Sequence, residues 1–144
     1  MTNIIDYKTH PIIGKYSVSF HRWGSSGTAA HGHNYYEIFL VTDGRLCHEV
    51  NEKPSEIGKG TLCMICPGDI HRLSRIENFS SAHMNICISP KKFDEICSAI
   101  GIDPRELETQ KPLTAVLSAE EQAYFDSRAS LISKLVGDGY EKAA

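Results

Sequence analysis

Between residues 14 and 88 apolar and polar side chains alternate in short runs, separated by clusters of Gly, Pro, Asn and Asp. That two-residue period is the signature of half-buried β-strands joined by turns. Tyr16, Val18 and Phe20 alternate with Ser17, Ser19 and His21, predicting a strand that runs to about Trp23. Gly24 to Gly27 reads as a loop, followed by a short strand carrying His31 and His33. Tyr36 to Thr42 sets Glu37, Phe39 and Val41 on one face against Ile38 and Leu40 on the other, so both faces carry apolar groups. Asp43-Gly44 predicts a type I′ hairpin turn, with Leu46 to Asn51 returning antiparallel. Further turns at Asn51–Pro54, Gly58–Gly60 and Pro67–Asp69 separate Thr61–Cys66, His71–Ile76 and Ala82–Ile88. About eight short strands with no helix between them predict a mainly β fold, a small barrel or jelly roll, and argue against a parallel α/β sheet.

The period changes at Ser89. Ser89-Pro90 is an N-cap followed by a first helical position, Phe93, Ile96, Cys97 and Ile100 form a stripe, and Gly101 is the stop. Asp103-Pro104 opens another short turn of helix. Ser118 with Glu121 is a capping box, leading to a longer helix that sets Leu117, Tyr124, Phe125, Leu131, Ile132, Leu135 and Val136 on one side. Such a face either packs on the chain's own barrel or meets its twin in a second subunit. The expected organisation is an N-terminal arm over 1–13, a β-barrel over 14–88, and C-terminal helices over 89–144. Val136 to Ala144 reads as the start of a linker.

A chain of 144 residues suffices for one sizeable core. With 41% hydrophobic and 23% charged residues it is neither poor enough in apolar groups for disorder nor rich enough for a membrane-embedded protein. No apolar run approaches a bilayer span and the N-terminus carries no export signal, so the expected location is the cytoplasm and no membrane partner is expected. Net charge is −3 with a pI near 6.1, and the basic residues are scattered, which excludes a phosphate-tracking DNA surface on this chain. Five cysteines, mostly within apolar patterns, fit reduced buried thiols. Cys63 and Cys66 have the C-x-x-C spacing, but an offset of three in a strand points the sulfurs to opposite faces, and both read as core residues.

The candidate chemistry lies in His31, His33, Glu37 and His71. Residues two apart on a strand point to one side, so His31 and His33 can aim at one ion. Four further residues of straight strand would carry Glu37 about 13 Å beyond His33, too far to share it, so the chain must bend at Asn34-Tyr35. With that bend Glu37 returns beside the imidazoles and His71 completes four ligands suited to zinc, nickel, manganese or iron, with positions left open for catalysis or sensing. The alternative is that the four polar groups line a pocket without a metal. His48 shares a face with Leu46 and Val50 and either enters the cavity or is a hydrogen-bonded core residue; Tyr35, Tyr36 and Trp23 would supply pocket walls or core, and His83 and Asn85 share a strand face near the barrel end. His10 and His21 receive no role.

Gly27, His31, His33, Glu37 and Gly44, with Gly60, Pro67, Gly68 and His71, resemble the two stretches that define cupin barrels. Gly27 stands closer to His31 than usual there, and Arg75 occupies the position where such barrels carry Asn. The segment from His31 to Gly44, the Pro67–Arg72 turn and Ala82 to Ser89 resemble the sensory domain of AraC-type transcription regulators, and among them the regulators of chitobiose and cellobiose operons. The resemblance spans about residues 10 to 136. It implies a cupin-type double-stranded β-helix, a jelly-roll barrel followed by C-terminal helices, whose pocket takes a small effector such as a sugar or sugar phosphate. Site residues implied or expected are His31, His33, Glu37 and His71 for a divalent transition metal, with His48, Tyr35, Trp23 and Asn85 facing the effector. It further implies a homodimer formed through the helices, no enzymatic activity, and contact with DNA only through a helix-turn-helix domain that these 144 residues do not contain. A small metal-dependent cupin enzyme, a dioxygenase or isomerase, is the alternative.

Overall fold

The computed structural model describes residues 2–9, 18–24 and 27–136, with the backbone alone for 18–23, 133, 135 and 136. The expected strand start at Tyr16, His10 and the linker-like 137–144 therefore lie outside the described residues. Nine strands are described, β1 (Asn3–Ile5), β2 (Val18–Trp23), β3 (His31–His33), β4 (Tyr36–Val50), β5 (Lys53–Gly58), β6 (Thr61–Ile65), β7 (Ile70–Arg75), β8 (Ser81–Ile88) and β9 (Thr114–Val116). They form two sheets that share β4. One runs β2-β8-β4-β6-β9 and the other β1-β3-β7-β4-β5.

The expected hairpin at Asp43-Gly44 does not form; β4 continues through it as one fifteen-residue strand. A type I′ turn needs positive φ at both central residues. Gly44 has φ 69°, but Asp43 is not among the positive-φ residues. The turn chemistry is used instead at Asn51-Glu52, with φ 49° and 67°, where β4 returns as β5. At the former site Val41 faces His83 and Asp43 faces Ala82, so Thr42 is one extra residue, a β-bulge. One inserted residue reverses the parity of everything beyond it. Glu37, Phe39 and Val41 point into the barrel before the bulge, and Leu46, His48 and Val50 after it. Gly44 is required there, because a Cβ would lie 1.7 Å from the Ser80 carbonyl oxygen.

Phe39, Val41, Leu46, Ile57, Cys63, Ile65 and Leu73 form the interior core. The opposite faces of β4, β6 and β8 are apolar because helices cover them. Helix α1 (Pro90–Ile100) lays Phe93 and Cys97 on Ile88 and the partly buried Tyr36, Ile38 and Met64. Its caps follow the sequence, since Ser89 Oγ accepts from Lys92 N at 3.3 Å and Gly101 closes it at φ 74°. A 3-10 segment, Pro104–Gln110, leads to β9 on the edge of β6. Helix α2 (Ala119–Val136) begins with the expected capping box, Glu121 N donating to Ser118 Oγ at 3.2 Å and Ser118 N to Glu121 Oε2 at 2.7 Å.

The expected single apolar face of α2 divides. Phe125 and the buried Ala129 pack with Leu117 on Leu40 and Met84, whereas Tyr124, Leu131 and Ile132 are exposed. For Tyr124 and Leu131 the reason is angular. Residues 125 and 129 point one way, while 124 and 131 lie roughly a third of a turn away. The side chains of Leu135 and Val136 lie outside the described residues. No helix among the described residues is long and apolar enough to cross a membrane.

Candidate functional site

The chain bends at Asn34-Tyr35 between β3 and β4. The N-terminal segment holds that bend. Asn34 Oδ1 accepts from Tyr7 N at 2.7 Å, Asn34 N donates to Ile5 O at 3.2 Å, and Asn34 Nδ2 donates to Asp6 Oδ1 at 3.0 Å. β1 pairs in parallel with β3 and sets Ile4 opposite Gly32. A Cβ at Gly32 would crowd the Asp69 carbonyl oxygen at 3.1 Å and displace the ends of the Ile70 and Ile4 side chains. After the bend Glu37 turns back, bringing Oε2 to 3.3 Å from His33 Nε2. β7 contributes His71, whose turn is clamped at Asp69. That carboxylate accepts from Cys66 N at 2.9 Å, Asn51 Nδ2 at 2.9 Å and Lys111 Nζ at 2.7 Å. Ligand atoms of His33, Glu37 and His71 all lie within 4.8 Å of one another, and all three residues are buried.

Where the protons sit decides what this trio can do. His33 Nδ1 is 2.8 Å from Tyr35 O. A carbonyl only accepts, so Nδ1 carries the hydrogen, and in the neutral ring Nε2 is a bare lone pair facing a carboxylate oxygen. Two acceptors at that distance repel unless a cation, a proton or a metal ion, lies between them. His71 Nδ1 shares a hydrogen bond of 3.2 Å with His48 Nε2. The Nε2 atoms of His33 and His71 are buried with no hydrogen-bond partner among the described residues. Buried polar atoms without a partner are costly. Two converging imidazole nitrogens and a carboxylate therefore fit a divalent transition metal, with each ring's second nitrogen already engaged, as metal-bound histidines require.

Burial alone would raise the Glu37 carboxyl, but the contact with His33, the nearby His71 and a bond from Asn85 outweigh it and hold it at about 2. Burial pushes His48 down to about 4 and His71 down to about 3, only partly opposed by the Glu37 charge. Both rings are consequently neutral near pH 7. Burial, with Cys87 and Glu37 nearby, raises the Tyr35 hydroxyl.

A cavity of about 390 Å³ opens where β5 and β6, each paired to β4, are not paired to each other among the described residues. His48 and Val50 of β4 and Cys63 and Ile65 of β6 form its inner wall, Lys53 and Ser55 of β5 one side, and Lys111 to Thr114 the outer strap. The strap is fastened by Lys111 to Asp69 and Glu108, and by Met64 N donating to Leu113 O at 2.9 Å.

The residues expected at the site distribute as follows. His33, Glu37 and His71 converge. His31 stands outside that trio, with Nδ1 2.8 Å from Ala29 O, although its ring centroid is 4.5 Å from that of His71, its register partner. His48 lines the cavity, whereas Tyr35 stacks on His33 at 4.1 Å and packs on Cys87. Asn85 bonds Glu37, and His83 meets the Phe39 ring at 5.7 Å. Register sets Trp23 opposite His83, and its side chain lies outside the described residues. Cys63 and Cys66 are both buried free thiols, pushed up by burial to about 12 and about 11. Asn51 and Lys111 were not legible in the sequence, because each acts through Asp69 from a segment far along the chain. Asp69 itself carried a signal as part of the Pro-Gly-Asp corner.

Two sheets sharing one bulged strand, with a His and Glu cluster inside and helices outside, define a cupin-type barrel. Residues 15–131 match the AraC-like ligand binding domain, and the chain belongs to that family. Comparison with curated proteins gives no match. Among solved structures the chain is similar to ToxT from Vibrio cholerae, with 12% identity and a TM-score of 0.60, over 81% of this chain and 48% of that one. It is also similar to a cupin domain from Schizosaccharomyces pombe, at 11% identity and a TM-score of 0.50, over 62% of this chain and 66% of that one. A cupin protein from Bacteroides fragilis matches at 18% identity and a TM-score of 0.45, over 51% of this chain and 64% of that one. The chain thus spans about half of ToxT and under two thirds of the Bacteroides protein.

Proposed function

We propose that this chain is the effector-sensing half of an AraC-type transcription regulator, with a divalent metal held by His33, Glu37 and His71 beside the cavity that takes the effector. The observation that carries the reading is the cavity itself, about 390 Å³ between the sheets, with His48 in its wall touching the metal-competent cluster. That volume lies in the range of about 300–1,000 Å³ used for small-molecule sites. Its wall mixes apolar surface from Val50, Cys63 and Ile65 with polar groups from His48, Ser55 and Thr114, which suits a sugar or sugar phosphate of the chitobiose or cellobiose kind. A zinc, nickel, manganese or iron ion would supply a Lewis-acidic centre; the barrel residues bury it, orient it and keep bulk water away.

The strap walls the cavity and continues through β9 into α2. An effector that binds two packings of the strap unequally therefore moves α2, and only such a difference in affinity shifts a regulator between states. The exposed Tyr124, Leu131 and Ile132 on α2 are the face offered to a second subunit, giving a cytoplasmic homodimer that reaches DNA through a helix-turn-helix domain outside this chain. This assigns no catalysis to the chain. The second reading, a small metal-dependent dioxygenase or isomerase, is favoured by the same three donors, because a cluster bordering a cavity leaves positions open to a substrate.

Thermal unfolding of metal-free protein with zinc, nickel, manganese or iron, and then with chitobiose, cellobiose and their phosphates, separates these readings. Sensing predicts stabilisation by metal and by one sugar, about 2.7 kcal/mol at a hundredfold excess over Kd, without turnover. Turnover abolished by Glu37→Ala would favour the enzyme. No shift with any sugar overturns the sugar class.

A further inference from the structure

We infer that His48 is a positioning residue that links the metal centre to the cavity, fixing the ring of His71 on one side and presenting a hydrogen-bond donor to the cavity occupant on the other. The inference rests on the metal reading above. It starts from one geometric fact, that His48 is the residue shared by the two sites. Its Nε2 lies 3.2 Å from His71 Nδ1, and His48 is also a residue of the cavity wall. His48 is buried, and its ring is held edge-on by Phe39 at a centroid distance of 5.0 Å.

Proton bookkeeping then gives direction to the pair. With both rings neutral, one hydrogen lies between His48 Nε2 and His71 Nδ1, and either ring can own it. His71 Nε2, the orphaned atom, is the nitrogen that converges with His33 and Glu37. A metal bound at His71 Nε2 leaves the His71 hydrogen on Nδ1, so His71 becomes the donor. His48 Nε2 must then accept, and the hydrogen of His48 moves to Nδ1, its remaining polar atom. No proton is gained or lost in the pair. What changes is which nitrogen of His48 is a donor. The metal-loaded barrel consequently favours an occupant that places an acceptor oxygen, a hydroxyl, carbonyl or acid oxygen, against His48. By reciprocity such an occupant tightens the metal by the same factor.

The test uses the 144-residue chain labelled with nitrogen-15 in histidine, and zinc alone as the probe. On zinc addition His48 Nδ1 is expected to become the protonated nitrogen and Nε2 the unprotonated one in long-range proton–nitrogen spectra. His48→Phe keeps the ring volume but cannot accept from His71, and is expected to weaken zinc binding ten- to hundredfold, as loss of a partner to a metal-bound histidine does. His48→Gln supplies an acceptor oxygen and is expected to recover most of that affinity. A residue that served packing alone would not separate these two variants. Zinc-loaded protein with the His48 hydrogen on Nε2, or equal zinc affinity in wild type and His48→Phe, overturns the linkage while leaving the metal reading intact. Failure of the wild-type chain to bind zinc, nickel, manganese or iron overturns both. Should His48→Phe fail to fold, the wild-type spectra decide alone.

Discussion

The two halves of the barrel interior share β4 and β7 and obey opposite rules. At one end Phe39, Val41, Leu46, Ile57 and Leu73 need only each other, and their contribution comes from leaving water. At the other end His33, Glu37, His48, His71, His83 and Asn85 are equally buried, yet each polar atom needs a partner, and two nitrogens have none among the described residues. The lesson is that burial by itself does not separate core from site. Unsatisfied hydrogen-bonding capacity does. The apolar half is complete in itself, whereas the polar half leaves ring nitrogens of His33 and His71 without a partner among the described residues.

The sharpest way to break that comparison is to insert one alanine after Thr42. A further extra residue shifts the parity of β4 beyond the bulge, so Leu46, His48 and Val50 would turn outward together. Loss of the cooperative thermal transition is expected. A variant as stable as the parent would show that the parity of β4 does not set the two halves. Next in size is Leu46→Ala in the dry half, where a buried side chain leaves a cavity. Chemical denaturation should show a loss of about 2–5 kcal/mol, with little change in zinc affinity.

Acid acts on the polar half. His48 and His71 have folded values of about 4 and about 3 against an ordinary 6.5, so below pH 6.5 the unfolded chain takes up protons that the folded one refuses. Their contribution is fully present above pH 6.5 and is lost as pH falls toward the folded values. Glu37, at about 2 against an ordinary 4.5, extends the same trend to lower pH. Metal-free protein is therefore expected to lose at least about 3 kcal/mol between pH 7 and pH 4, read by urea unfolding at each pH, whereas a flat profile would place these groups in water. The smallest effect is expected outside the barrel. Ser118→Ala removes the cap of α2 and should cost about 1 kcal/mol, leaving both zinc binding and the acid profile unchanged.

Much of this was readable in advance because it is local. The strand period, the Ser89 and Ser118 caps and the Gly101 stop depend on residues within a few positions of one another. The bend at Asn34-Tyr35 was also legible, since the rise of a strand forbids Glu37 from meeting His33 without it. The apolar groups on both faces of residues 36 to 41 announced a sheet covered on both sides. The reading of Asp43-Gly44 failed for a physical reason. The pair is a turn only if both residues adopt positive φ, and the pairing of β4 with β8 on one side and β5 and β7 on the other outweighs that preference.

By itself, then, the sequence determined most of the strand period up to residue 88, the caps of both helices, and which side chains are chemically able to bind a metal, because those follow from local sterics and hydrogen bonding; β1, β9 and the run of β4 through Asp43-Gly44 exist through pairing with distant strands. Tertiary structure decided which of them meet. It separated His31 from the trio, gave His48 to both the cluster and the cavity, and used Lys111, far along the chain, to fasten a strap over the opening. Those outcomes depend on register and on the contact of segments distant in sequence, and no periodicity along one chain encodes the distance between two strands that meet only when the sheet closes.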